Sequence, residues 1–595
     1  MIIDYCRRCR RVRIAPPSQP QHWAARGSRI NTSFVPGTPL HPGAKDTADS
    51  PVFVLKNLST STYSRSFCQT RICDKVLYII VQLRPLPSLV HFPFLIMSLT
   101  VQAINVALAV VALWLLKKVT EKKPLGRQIP GPKGWPIIGN LLDVPTELEY
   151  QVFSRWQKKY GDLIQMTILG QPTIIINSPQ LAVNMLNKKS AIYSSRPHLT
   201  MACDLVGWRD ILVLLKYTDK FKACRRMLHT VIGTRASVEK FRDTLEEESA
   251  LMVRRLLNEP RNFVGPVRKA VGVIILRITH GYRPTTEDDS LVRVADEATD
   301  QLNVLLSPGL FAVDFLPFLR YIPEWFPGGG FHKIAREWRH TLFDMTDKSY
   351  EFVLEQMAKG TAVPNMVSPE EEDEIKWAAS SLYSGGADTP VSAMSSFLLA
   401  MTAYPEVVGN DRLPTFADRD QLPYIATTLK EVIRWGPTTP LGAPHCIEQD
   451  DVHDGYLIPK GSIIMANIWC VLYSVWCNAS TSCTTLKVYK DPMVFNPDRL
   501  VGKPGQPAEP DPFTFAFGYG RRACPGEQLA QSILFIFAAT VLSVFDINKV
   551  TINGVVQEPT CEFSSGVLVR PKPFLSELKP RSAKAEALIR SLELS

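Results

Sequence analysis

Cysteine is sparse and scattered. Twelve residues in a chain of 595 do not make a disulfide framework, and a reducing compartment follows for the main domain. Cys6-x-x-Cys9 has no second pair at metal-site spacing, which argues against a zinc module. No basic stripe alternates with aromatics, so the formal charge of +10 reads as a solvated basic surface and gives no footprint for nucleic acid. Internal repeats are absent. What remains is the composition of a globular protein, with 45% hydrophobic and 21% charged residues and ample material for a large core.

One uncharged segment, "LTVQAINVALAVVALWLL" (99–116), is about long enough to cross a bilayer as a helix. Lys117, Lys118, Lys122, Lys123 and Arg127 follow, and by the positive-inside rule that end faces the cytosol with everything downstream of it. A cleaved signal peptide is the weaker rival, since no small-residue cleavage site follows. Residues 1–96 lack a sustained helical or strand period and read as disordered; a transit peptide and an over-extended gene model are the other readings. The expected organisation is 1–96 as extension, 97–118 as transmembrane anchor, 119–140 as basic flank and proline-rich hinge ("IPGPKGWPIIGN", 129–140), and 141–595 as the catalytic domain.

Past the hinge, "GDLIQMTILGQPTIIINSP" (161–179) predicts a strand pair with a Gly-Gln turn. Residues 179–359 are mostly helical in pattern, broken at 307–331 by a Pro/Gly/aromatic region that is either a substrate and membrane entrance or a simple surface connector. Further helices are expected near 374–403 and 421–435, with short strands near 455–457 and the C-terminus. The fold class is mainly α with a small β portion.

The densest signal is "FAFGYGRRACPGEQLA" (515–530). Phe517, Gly520, Arg522, Cys524 and Gly526 fall in the pattern F-x-x-G-x-R-x-C-x-G. Gly520 and Gly526 allow a tight turn and a close approach to a ligand. Leu529, Ile533 and Phe537 recur at helical spacing, so a buried helix starts near Pro525. Cys524 then lies at a helix N-terminus, which favours thiolate. A buried structural cysteine is the bland alternative.

The five positions resemble the haem-ligand loop of the cytochrome P450 family, and the anchor, basic flank and proline hinge resemble its microsomal members. Segments 205–235 and 380–445 look most like fungal secondary-metabolism members similar to O-methylsterigmatocystin oxidoreductase. The resemblance implies haem b with Cys524 as its axial thiolate, donating electron density that assists O–O cleavage. It also implies an apolar small-molecule substrate and electrons from NADPH through the P450 reductase, with cytochrome b5 as a second possible donor. The location it implies is the endoplasmic reticulum membrane, single-pass, with the catalytic domain cytosolic. Arg225, Arg522 and His445 would meet the haem propionates, although His445 also reads as an ordinary strand histidine and Phe221 replaces the tryptophan usual before Arg225. Gly385-Gly386 would open a groove for dioxygen in an otherwise good helix, with Asp388 and Thr389 supplying protons; Pro390 departs from the usual second hydroxyl.

Glu431 and Arg434 stand at i and i+3 on one helix face. By resemblance they form a structural cluster with Arg499. The rival class is a haem-thiolate isomerase or a non-functional haem protein. Apparent gaps near 367 and 407 and an insertion near 471–486 suggest misplaced intron boundaries, with a divergent loop set as the alternative.

Overall fold

The computed structural model describes residue 105 and residues 126–592, apart from 285, 287–288, 308, 363–365, 367–371, 405–411, 474–488 and 506. The expected extension, the anchor and its rival reading, Cys6-x-x-Cys9, and most of the insertion and gap positions lie outside these residues.

The longer helices are α1 (Glu149–Tyr160), α2 (Asp219–Ile232), α3 (Arg242–Asn258), α4 (Val264–His280), α5 (Ser290–Leu305), α6 (Phe331–Ala358), α7 (Glu372–Gly386), α8 (Asp388–Ala403), α9 (Pro423–Trp435) and α10 (Glu527–Val544). Strands are short. β1 (Leu163–Ile168) and β2 (Gln171–Ile176) form an antiparallel hairpin. β3 (His445–Cys446), β4 (Asp451–His453), β5 (Tyr456–Ile458) and β6 (Ile463–Ala466) follow α9. β7 (Phe545–Asn548), β8 (Thr551–Ile552), β9 (Val555–Val556) and β10 (Glu577–Pro580) follow α10, and a helix over Ala583–Ser591 comes after them. The main sheet runs β1-β2-β6-β3, with β6 parallel to β2 and antiparallel to β3.

The hairpin turn is Leu169-Gly170, not Gly-Gln. Both residues have positive φ, +50° and +86°, the backbone that a two-residue turn needs to match strand twist. The proline-rich stretch is pinned along β1 and does not hang free. Gln165 N–H donates to Pro130 O at 2.9 Å, and Asn140 N–H to Thr167 O at 2.6 Å. A Cβ on Gly131 would stand 1.9 Å from Gln165 O, so only glycine fits there.

α10 is the one helix among the described residues that is long and apolar enough to cross a membrane, but it is mostly buried. Leu529, Ile533, Phe535 and Phe537 are sealed in the main core with α3, α8 and α9. Each such side chain contributes roughly 1.5–3 kcal/mol of burial free energy, which fixes the start of α10 and the cysteine loop that leads into it. The 307–331 region holds two short helices, Ala312–Phe315 and Pro317–Tyr321, with Phe318, Tyr321 and Trp325 exposed.

Candidate haem-thiolate site

The loop before α10 is shaped by its own backbone. Cys524 N–H donates to Phe517 O at 2.7 Å, and Ala523 N–H to Gly520 O at 3.2 Å. Gly520 has φ +53°, and a Cβ there would lie 2.4 Å from Leu186 O. Gly526 caps α10 and its N–H donates to the Cys524 sulfur. Phe517 packs edge-on against Phe513, centroids 5.2 Å apart.

Cys524 is exposed, yet enough protein surrounds it for desolvation to push its thiol up. Both facts fit a residue that is open on one side and crowded by protein on the others. The helix-terminus expectation of a lowered pKa is thus corrected. Desolvation outweighs the Gly526 N–H and the Arg225 charge, and a coordinated metal would be needed to deprotonate the sulfur outright.

Three guanidinium groups gather by this loop. Arg522 is buried and donates to three backbone carbonyls: Nε to Ser194 at 2.6 Å, Nη1 to Leu212 at 3.2 Å and Nη2 to Leu215 at 2.5 Å. Its Cζ sits 3.8 Å over the Phe221 ring, so the phenylalanine at the tryptophan position serves as a cation–π shelf. Arg225, on α2, has no hydrogen-bond acceptor among the described residues, and its charge is felt at the Cys524 sulfur. Arg196, which the sequence reading missed, donates Nη1 to Ala443 O and Pro444 O, both at 2.7 Å. Its Nε is buried without a partner. No motif marks Arg196; only the fold brings it here.

Desolvation depresses the pKa of all three arginines, and for Arg522 the charges of Arg196 and Arg225 add to it. None of the three pairs with a carboxylate among the described residues. A buried cationic cluster without a counterion is strongly unfavourable, so the donor set fits a dianionic ligand placed over a sulfur. Haem, with two propionates, has that chemistry.

His445, on β3, donates Nδ1–H to Tyr193 O at 2.7 Å, since a carbonyl only accepts. Burial first, then Arg196, lowers its pKa to about 3. It is therefore neutral, and its remaining nitrogen Nε2 is an acceptor. The charges it feels are those of Arg196 and Arg522, so the ring stands beside the same arginine cluster.

On the helix broken between α7 and α8, a Cβ on Gly385 meets nothing within 4 Å, whereas one on Gly386 would lie 3.0 Å from Ile275 Cδ1. Gly385 faces open space and Gly386 faces packing. Thr389 Oγ1 donates to Gly385 O at 2.9 Å. Asp388 is buried, with Arg268 Nη2 at 2.9 Å, Arg570 Nη2 at 2.6 Å and Asn303 Nδ2 at 2.8 Å. Pro390 falls in the first turn of α8, where a missing N–H leaves no bond unmade.

The structure also brings Glu431, Arg434 and Arg499 together. Arg434 holds Glu431 with two bonds, and Arg499 Nε donates to Glu431 Oε1 at 3.1 Å.

Comparison with known proteins fits this geometry. The family model described as Cytochrome P450 matches residues 129–578. Cytochrome P450 monooxygenase 208 of Postia placenta is 45% identical over 482 residues, 78% of this chain and 92% of that protein. Cytochrome P450 monooxygenase claR of Ampulloclitocybe clavipes is 40% identical, covering 82% of this chain and 92% of its own. Cytochrome P450 monooxygenase CLM2 of Gibberella zeae is 39% identical, covering 78% and 91%.

Proposed function

The chain belongs to the cytochrome P450 family, and from that premise we propose that it inserts one oxygen atom from O2 into an apolar, secondary-metabolite substrate, with electrons from NADPH delivered by a P450 reductase. It is an oxidoreductase of the monooxygenase class, and haem with a cysteine thiolate is the cofactor of that family. The observation that carries the site assignment is the exposed Cys524 beside Arg225, Arg196 and Arg522, none of which has a carboxylate partner among the described residues.

Cys524 would hold the iron, and Arg225, Arg196 and Arg522 would take the propionates; charge-assisted N–H···O bonds of this kind are roughly twice as strong as neutral ones. Bound there, haem supplies the iron at which dioxygen is reduced and its O–O bond broken. Gly385, with nothing within 4 Å of where a Cβ would stand, would leave room for dioxygen. Thr389 carries a hydroxyl at the same break, and Asp388 provides a carboxylate four residues after Ser384. Together they would hold and pass protons at the α7–α8 break. Arg499, Glu431 and Arg434 act as scaffold. An isomerase has no need of such a relay, so oxygenation is the better reading for Asp388 and Thr389.

The anchor at 97–118, the endoplasmic-reticulum location and the exposed Phe318, Tyr321 and Trp325 as a membrane-facing edge are parts of the same reading. The test supplies purified protein, reductase and NADPH with isotopically labelled dioxygen and an extract of apolar fungal metabolites. One labelled atom in a new product supports the reading. Isomerised products without label favour the isomerase instead.

A further inference from the structure

Two successive residues of the C-terminal loop hold one face of α8. The Ser392 hydroxyl donates to Val569 O at 2.5 Å, and the Arg570 guanidinium pairs with Asp388 Oδ1 at 2.6 Å. Asp388 and Ser392 are four residues apart and therefore share that face. The loop is itself fixed. Val569 N–H donates to Thr438 O at 2.8 Å, and Ser564 and Arg570 bond to each other through their backbones and the Ser564 hydroxyl.

The contacts on Asp388 are unequal. Oδ1 takes two guanidinium groups, from Arg268 and Arg570, while Oδ2 takes only the neutral Asn303 amide. Arg268 is shared with Asp300 at 3.1 Å, but Asp388 is the one carboxylate that Arg570 pairs with among the described residues. The carboxylate is thus held on both sides, by two ion pairs at Oδ1 and by a hydrogen bond at Oδ2.

We propose that Arg570 is a positioning residue for oxygen activation, pinning the Asp388 carboxylate by Oδ1 in the first turn of α8, next to the α7–α8 break. Proton supply is then tied to the seating of the C-terminal loop. The inference rests on the reading of Asp388 as part of the proton relay.

The experiment measures NADPH-supported oxygen uptake by haem-loaded protein with reductase and no added substrate, for Arg570→Met, Arg570→Lys, Asp388→Asn and the Asp388→Asn/Arg570→Met double variant. Hydrogen exchange over residues 385–392 is followed in parallel. Arg570→Met should slow uptake by about tenfold, a modest share of what a positioned proton donor contributes, and should speed exchange at the break. Arg570→Lys should restore most of both. In the Asp388→Asn background, Arg570→Met should have no further effect. Wild-type uptake in Arg570→Met, or an equal further loss in the double variant, overturns the proposal. Should Arg570→Met fail to load haem, Ser392→Ala releases the same loop at its other contact; unchanged exchange at 385–392 in that variant then overturns it. Unchanged uptake in Asp388→Asn alone would instead remove the relay reading beneath it.

Discussion

Arg434 grips both carboxylate oxygens of Glu431, Nε to Oε2 at 2.7 Å and Nη2 to Oε1 at 2.9 Å, with neither side chain reached by solvent. Arg434 also donates to Leu472 O and Val494 O, and Asn496 N–H donates to Glu431 Oε1. The pair thus stitches α9 to the two segments flanking residues 474–488.

Removing one partner leaves a buried charge uncompensated, which costs about 3–5 kcal/mol. Arg434→Met and Glu431→Gln should therefore lower the melting temperature by many degrees and deplete haem-loaded protein. Lys333→Ala, which breaks an exposed pair with Glu337, should shift it little. Comparable small shifts in all three would contradict the structural role given to Glu431.

Thr389→Ala removes the hydroxyl at the helix break while leaving the Asp388 ion pairs in place. Haem and ligand-binding spectra should be preserved, and hydrogen peroxide released per NADPH should rise. Peroxide yield equal to wild type would count against Thr389 in proton supply.

Asp296 accepts a hydrogen bond from Tyr383 Oη at 2.8 Å. Desolvation nevertheless raises its pKa to about 6, from 3.8. A carboxyl with a raised folded-state pKa contributes stability that is intact below its unfolded value and is lost as pH climbs through about 6. Asp296→Asn keeps an acceptor for Tyr383 without the charge. Its melting temperature relative to wild type should rise between pH 4 and pH 8, and a flat or falling difference across that range would refute the assignment.

Tyr473 and Tyr489 border residues 474–488, and both rings lie 5.4 Å from Arg434 Cζ. The chain on both sides of 474–488 therefore returns to one guanidinium. Replacing 474–488 by a short Gly/Ser linker should hold the melting temperature within about 2 °C, as for a change of under 1 kcal/mol in a large domain. A large drop would make the segment part of the core.

The cysteine loop, the hairpin and the Glu431 helix were legible because local chemistry dictates each one. Glycines set the turns, β-branched alternation the strands and 3.6-residue spacing the buried stripe. The hairpin turn was misplaced by one residue, because Leu169 takes a positive φ that its side chain alone would not suggest. Arg196 and Arg570 were invisible for a different reason. Each acts through partners far along the chain, Ala443 and Pro444 for one and Asp388 for the other, and only the packed fold brings those together. His445 was found, but its burial beside Arg196 and Arg522 emerges only with the fold.

The central claim is that Cys524 is the axial thiolate of a bound haem, and the most direct measurement is the absorbance difference spectrum of the reduced, carbon monoxide-bound protein. Wild type should show the red-shifted Soret band of thiolate ligation, and Cys524→Ala should lose it, as should Cys524→Ser, which lacks the soft sulfur. A Cys524→Ala protein that keeps the band would contradict the assignment.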